Sequence, residues 1–375
     1  MSRRLVFVAV VCFALAALAW AGETAAPASN RLVLEPGPSP ALRINFDFRF
    51  GNALPPFEKE PALPGKELAR GRIPTVPPTW FLRNVTDKEL YLNLDHNRDF
   101  VTGRLATHRS VHAGHVVFGG LRVDTVQGDM VIPYTVDMYT YEHGCTGWLW
   151  VRSGWASSLE LDGRQWRFGI VDNLDGRIGK DDILYLRNKQ RTNAMDLLTV
   201  SPVPKRLYLA GHALDLDFAF KPAGGRVMLE AALTENRPPL GALNLEAKGC
   251  DYLLLQNAAA AAILDVTAGP VSVPAGEYRV VDCVLTPIRE LRPVPTFAGF
   301  DAKVSVESGQ AASLRLGLPL RSAAVVSREA NLLRVTYQLL GAGGERYSYF
   351  SLAKPPRFSI YKGPLQLTGG RLPFG

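Results

Sequence analysis

Two short acidic stretches hold the residue types and spacing best suited to gripping a metal ion. In Leu94-Asp95-His96-Asn97-Arg98-Asp99-Phe100, oxygen-bearing side chains recur at Asp95, Asn97 and Asp99. A calcium loop places oxygen ligands at positions 1, 3 and 5, a glycine at 6 and a bidentate acid at 12. The alternation fits, but Phe100 replaces the glycine and Ala106 stands where the closing acid belongs. The second stretch, from Val171 to Asp182, offers Asp172, Asn173, Asp175 and Asp182. Counted from Val171, Asn173, Asp175, Gly176 and Asp182 fall correctly, yet valine holds the first ligand place. These seven polar side chains are the candidate calcium ligands. The competing reading is a turn without metal, because Asp and Asn accept backbone N–H groups and tolerate left-handed conformations.

Weaker constellations lie nearby. His108, His112 and His115 would share one face of a helix and resemble a zinc set. Gly114 and the strand-like Val116-Val117-Phe118 argue instead for loop histidines. His143-Gly144-Cys145 invites a nucleophile reading, but catalytic pairs meet in space rather than in sequence, so a buried structural cysteine is favoured. Trp148, Trp150 and Trp155 offer a sugar-stacking face; the favoured reading is that Trp148 and Trp150, two apart on a strand, pack one core. No G-x-S-x-G, P-loop or G-x-G-x-x-G motif occurs.

The elements that must carry these residues read as strands. Alternating runs appear at Lys88–Leu94, Val116–Asp124, Val131–Tyr139, Gly147–Arg152, Gln165–Val171 and Asp182–Leu186. Asp162-Gly163 between two such runs suits a tight hairpin with a type I′ turn. Ala258 to Ala262 reads either as one turn of helix or as tight β packing. Short strands with turns at this spacing predict an all-β chain of tandem β-sandwich-like domains ending in an Ig-like sandwich. The expected divisions are a signal peptide over 1–21, a Pro-rich linker with one strand over 22–79, and β-domains over 80–200 and 201–292. The Ig-like sandwich takes 296–375.

Charge and compartment narrow the function. The chain has 375 residues and a formal charge of +7, with scattered basic residues and no basic run interleaved with aromatics. That excludes a nucleic-acid groove. Arg3-Arg4, the apolar stretch Leu5 to Leu18 and Ala19-Trp20-Ala21 form a cleavable export signal, and no later stretch is apolar enough to span a bilayer. Periplasm, cell surface and extracellular space are the expected locations. Cys145, Cys250 and Cys283 follow the leader, an odd number; Cys250 and Cys283 stand near candidate strands, and the sequence leaves their bridging open.

Several phrases together resemble a group of exported bacterial β-rich proteins. They are Leu90 to Phe100, Val171 to Arg177, Val273-Pro274-Ala275-Gly276-Glu277-Tyr278 and the ending Gly370 to Gly375. The resemblance implies a secreted multi-β architecture and no established activity. The expected function is a non-catalytic binding or structural β-protein, calcium-stabilised through its acidic loops, with cell-surface polysaccharide or protein as partner. The alternative is a secreted hydrolase of polysaccharide or peptide using a carboxylate pair.

Overall fold

A computed structural model describes residues 29–47, 49–50, 57, 59–60, 62–95, 100, 104–107, 110–112, 114–141, 146–189, 197–266, 270–285, 296–301, 303–330, 332–348 and 357–371. Every element there is a strand. The first six are β1 (Ser29–Asp47), β2 (Arg49–Phe50), β3 (Leu68–Ile73), β4 (Thr79–Asn84), β5 (Glu89–Asn93) and β6 (Arg104–Thr107). Next come β7 (Ser110–His112), β8 (His115–Gln127), β9 (Met130–Tyr141), β10 (Thr146–Leu161), β11 (Arg164–Val171), β12 (Ile183–Asn188) and β13 (Leu197–Val200). The middle of the chain gives β14 (Arg206–Leu209), β15 (His212–Ala223), β16 (Arg226–Asn236), β17 (Leu240–Lys248) and β18 (Cys250–Gln256). It continues with β19 (Ala260–Asp265), β20 (Val271–Pro274) and β21 (Gly276–Leu285). The last are β22 (Thr296–Gly299), β23 (Lys303–Val306), β24 (Ala311–Gly317), β25 (Arg321–Glu329), β26 (Leu332–Leu340), β27 (Arg346–Ser348), β28 (Arg357–Lys362) and β29 (Leu365–Arg371).

The all-β expectation holds, with several mixed and antiparallel sheets in sandwich-like layers. One 15-stranded sheet runs β13-β12-β11-β10-β1-β16-β15-β14-β19-β18-β21-β23, with β9, β8 and β7 branching from β10. Two pairings, β14 with β19 and β17 with β24, are parallel.

Much of the proline-rich segment expected to be a linker with one strand is built into the sheets, its long strand β1 spanning two partners. Ser29 to Leu34 of β1 pair with β16, and Glu35 to Asp47 pair with β10. Pro36, Pro38 and Pro40 disguise this strand. They sit where β1 changes partner, and the register slips between Pro38 and Leu42, an irregularity that tolerates missing N–H donors. Residues 22–79 also contribute β2 and β3. The expected division near residue 200 falls between β13 and β14, and the strands on its two sides are joined through β1. Ala260 to Asp265 form strand β19, which decides the alanine-rich stretch against helix.

Two cores flank the middle of this sheet. β18 is buried along its whole length, as the unbroken run Tyr252-Leu253-Leu254-Leu255 requires of a strand covered on both faces. Tyr252 and Leu254 face the first core with Trp155, Trp166 and Phe168. Leu253 and Leu255, on the opposite face by the two-residue period, enter the second core with Leu243, Leu316 and Tyr347. The sheet β2-β3-β4-β5-β6 lays Phe81, Leu90 and Leu92 into the first core. β23 pairs with β21 and β24 with β17, so the segment after 296 completes the second core as well as carrying the sheet β22-β27-β26-β25.

Candidate functional site

The connection from β11 to β12 carries the second acidic stretch, and its carboxylates point inward. Asp172 is fully buried and Asp182 is 1% exposed. Asp172 Oδ1 accepts the N–H groups of Leu174 at 2.7 Å, Asp175 at 3.0 Å and Gly176 at 3.4 Å. Its Oδ2 accepts the Tyr134 hydroxyl at 2.8 Å. Asp182 takes the N–H of Asn173 on Oδ1 at 2.8 Å and that of Gly179 on Oδ2 at 2.5 Å. The Asn173 side-chain oxygen accepts the N–H of Asp175 at 3.1 Å, and Asp175 accepts that of Arg177 at 2.8 Å.

Neighbouring strands clamp the same loop. Leu174 is buried in the left-handed region at φ +82°, and its carbonyl accepts the Thr125 hydroxyl at 2.5 Å. Gly176 follows at φ +75°, where a Cβ would lie 3.0 Å from Thr125 Cγ2 and 3.1 Å from Ile132 Cδ1. Burial, then the nearby Asp182, push the Asp172 carboxyl up to about 7. Burial also raises Asp182, to about 6, against the pull of its backbone donors.

The other stretch is placed less completely. Asp95 is exposed just after β5 in a different sheet, while Asn97 and Asp99 lie outside the described residues. Among the described residues, no group of three or more His, Cys, Asp or Glu side chains could hold a metal ion. The helical zinc arrangement is overturned: His112 and His115 are opposite one another in the β7–β8 hairpin. His108, His143 and Cys145 lie outside the described residues.

Trp148 and Trp150 share one face of their strand as expected, but that face is not the core. Trp155 is a core residue at 1% exposure. Trp148 and Trp150 alternate with buried Leu149 and Val151 and so occupy the outer face of β10. There they build a ladder across three strands. Tyr139 from β9 stacks on Trp148 at 5.2 Å with 8° between planes, and Arg43 from β1 lies 4.6 Å from the same ring centroid. Arg152 lies 5.3 Å from the Trp150 centroid and bonds Asp137 at 2.8 Å. With Trp148 met from both flanking strands, this ladder consumes the ring faces that a sugar would need.

An open cleft of about 420 Å³ lies elsewhere, where β10–β11, β14–β15, β18–β19 and β20 converge. Trp166, Tyr208 and Tyr252 line it together with Asp162, Arg164 and Asp265. Trp166 meets Tyr252 edge-on at 5.9 Å, and Asn188 donates to the Tyr252 hydroxyl at 3.0 Å. The Trp166 indole N–H is buried and has no hydrogen-bond partner among the described residues. On the rim, Arg164 pairs with Asp265 at 2.9 Å, and His212 Nε2 lies 3.2 Å from Asp162. Burial lowers the His212 imidazole, but its hydrogen bonds to Asp162 and Glu235 outweigh that and leave it above its ordinary value.

Sequence reasoning missed this cleft because its parts are far apart; Arg164 and Asp265 are 101 residues distant. The one signal was the Asp162-Gly163 turn, whose φ values of +48° and +72° match the expected hairpin. No family model, no curated protein and no solved structure matches the chain.

Proposed function

We propose that this chain is an exported, non-catalytic binding protein of the periplasm or cell surface, which takes a saccharide unit of a polysaccharide in the cleft beside Trp166. The cleft carries the reading: a volume of about 420 Å³, an aromatic lining and a charged rim are the ingredients of a small polar-ligand site. Tyr208, Tyr252 and Trp166, all buried, form the apolar floor of the cleft, and at its rim Arg164 with Asp265 offers directed hydrogen bonds to hydroxyls. Export rests on the charged, apolar and Ala-x-Ala segments at the start of the chain. The same reading takes the sheet β22-β27-β26-β25 as one layer of an Ig-like sandwich from 296 onward, in which β23 and β24 pair with the preceding strands β21 and β17. The Asp172–Asp182 loop is then a hydrogen-bonded support rather than a calcium site.

A hydrolase is the second reading, favoured by the presence of two carboxylates, Asp162 and Asp265, on one cleft. A glycan array, followed by a turnover assay on each retained glycan, tests both. Retention without product supports the binding protein, product formation supports the hydrolase, and no retained glycan overturns the saccharide assignment.

A further inference from the structure

Cys250 opens β18, and Cys283 lies near the end of its antiparallel partner β21. The register places Cys250 opposite Leu285 and Cys283 opposite Leu253, with an irregularity between Cys250 and Tyr252. Both side chains enter the second core, and their sulfurs stand 2.7 Å apart. Two unbonded thiols do not rest so close. Cys250 is 5% exposed and Cys283 is 1% exposed, so water does not separate them. The surroundings are closed: Tyr347 packs in the same core, and a Cβ on Gly317 would fall 2.8 Å from Cys250 Sγ. Glu345 is fully buried close by, but it already accepts the Gly317 N–H at 2.5 Å, the Gly343 N–H at 3.0 Å and the Tyr347 hydroxyl at 3.1 Å. Among the described residues no third ligand completes a metal site around the two sulfurs.

We infer that Cys250 and Cys283 are joined as a disulfide in the mature protein. The bond forms by exchange with a disulfide-bearing oxidant, either a dithiol oxidoreductase or oxidised glutathione. One cysteine, as thiolate, attacks a sulfur of that disulfide and releases one oxidant thiol. The second cysteine then attacks the mixed disulfide and releases the other. Two protein thiols are oxidised, one external disulfide becomes two thiols, and the two protons pass to the departing sulfurs. Because both sulfurs are buried, exchange precedes closure of the second core during folding.

The cross-link bears on the cleft. Cys250 and Cys283 are 33 residues apart, and the enclosed segment carries Tyr252, Ile263, Leu264, Asp265, Val271 and Ser272 of the cleft lining. The bond therefore staples one wall of the proposed ligand site; this consequence rests on the binding reading, whereas the bond itself does not.

Peptide mapping tests the bond without reference to any ligand. The full chain is directed to an oxidising compartment, purified without reductant, and alkylated in denaturant before and after reduction. Trypsin releases Cys250 in peptide 249–279, Cys283 in 280–289 and Cys145 in 123–152. The expected result is 249–279 joined to 280–289, separating only on reduction. Alkylation of both cysteines before reduction, even after incubation in a glutathione redox buffer, overturns the inference. Pairing of either with Cys145 also overturns it.

Discussion

Tyr134 on β9 and Asp172 at the end of β11 meet inside the first core, the phenol donating to Oδ2 at 2.8 Å. Oδ1 of the same carboxylate organises three loop N–H groups. One acid thus fixes both the loop and its docking onto the neighbouring strand. Asp172→Ala leaves those buried donors unmet and is expected to cost about 3 kcal/mol or more, whereas Tyr134→Phe removes one charge-assisted bond and costs about 1.5–3 kcal/mol. Urea denaturation at pH 7 ranks the two; equal, negligible losses would contradict this role.

The same burial sets a pH dependence. Asp172 and Asp182 have folded-state values of about 7 and about 6, above the ordinary 3.8. Between those values the folded chain retains protons that the unfolded chain has released, so stability falls as pH rises from about 4 to 7. The contribution is fully present below the unfolded value and lost through the folded one. Asp282, raised by burial to about 6, acts over the same range, whereas His212, raised above its ordinary 6.5, acts in the same direction only at higher pH. Thermal midpoints over this range should fall, and the slope should flatten but not vanish in Asp172→Asn with Asp182→Asn.

Calcium and chelator separate the two readings of the loop. A ligand that binds only the folded state must stabilise it. The hydrogen-bonded support predicts one thermal midpoint in millimolar calcium and in excess chelator. A rise with calcium that disappears in Asp175→Ala would restore the metal reading.

Gly176 tests the backbone rather than the carboxylates. Its φ of +75° disfavours any side chain, and a Cβ would crowd Thr125 and Ile132. Gly176→Ala is expected to cost about 1–3 kcal/mol in urea denaturation. A neutral result would mean that the loop relaxes freely.

Much of the β architecture was legible because alternation marks half-buried strands. The runs predicted at Lys88–Leu94 and Gln165–Val171 became Glu89–Asn93 and Arg164–Val171. Of β1 only the end was legible, in the alternation that begins at Ile44, since three prolines within five residues resemble a linker until both flanking partners are in place. The polar residues of the second loop were recognised, but spacing does not disclose burial. The oxygens of Asp172 and Asp182 face backbone donors, a preference that calcium loops and Asx-rich turns express with the same residue types. For Trp148 and Trp150 the shared face was right and its direction wrong, because a two-residue period does not say which face is inward. The cleft depended on long-range pairing that no local pattern records.

The binding proposal is tested most directly by calorimetric titration of a glycan retained on the array, against wild type, Arg164→Ala and Trp148→Ala. The cleft assignment predicts at least about tenfold weaker binding in Arg164→Ala, equivalent to about 1.4 kcal/mol. It predicts unchanged affinity in Trp148→Ala. Lost binding in Trp148→Ala with full affinity in Arg164→Ala would contradict it and move the site to the outer aromatic ladder.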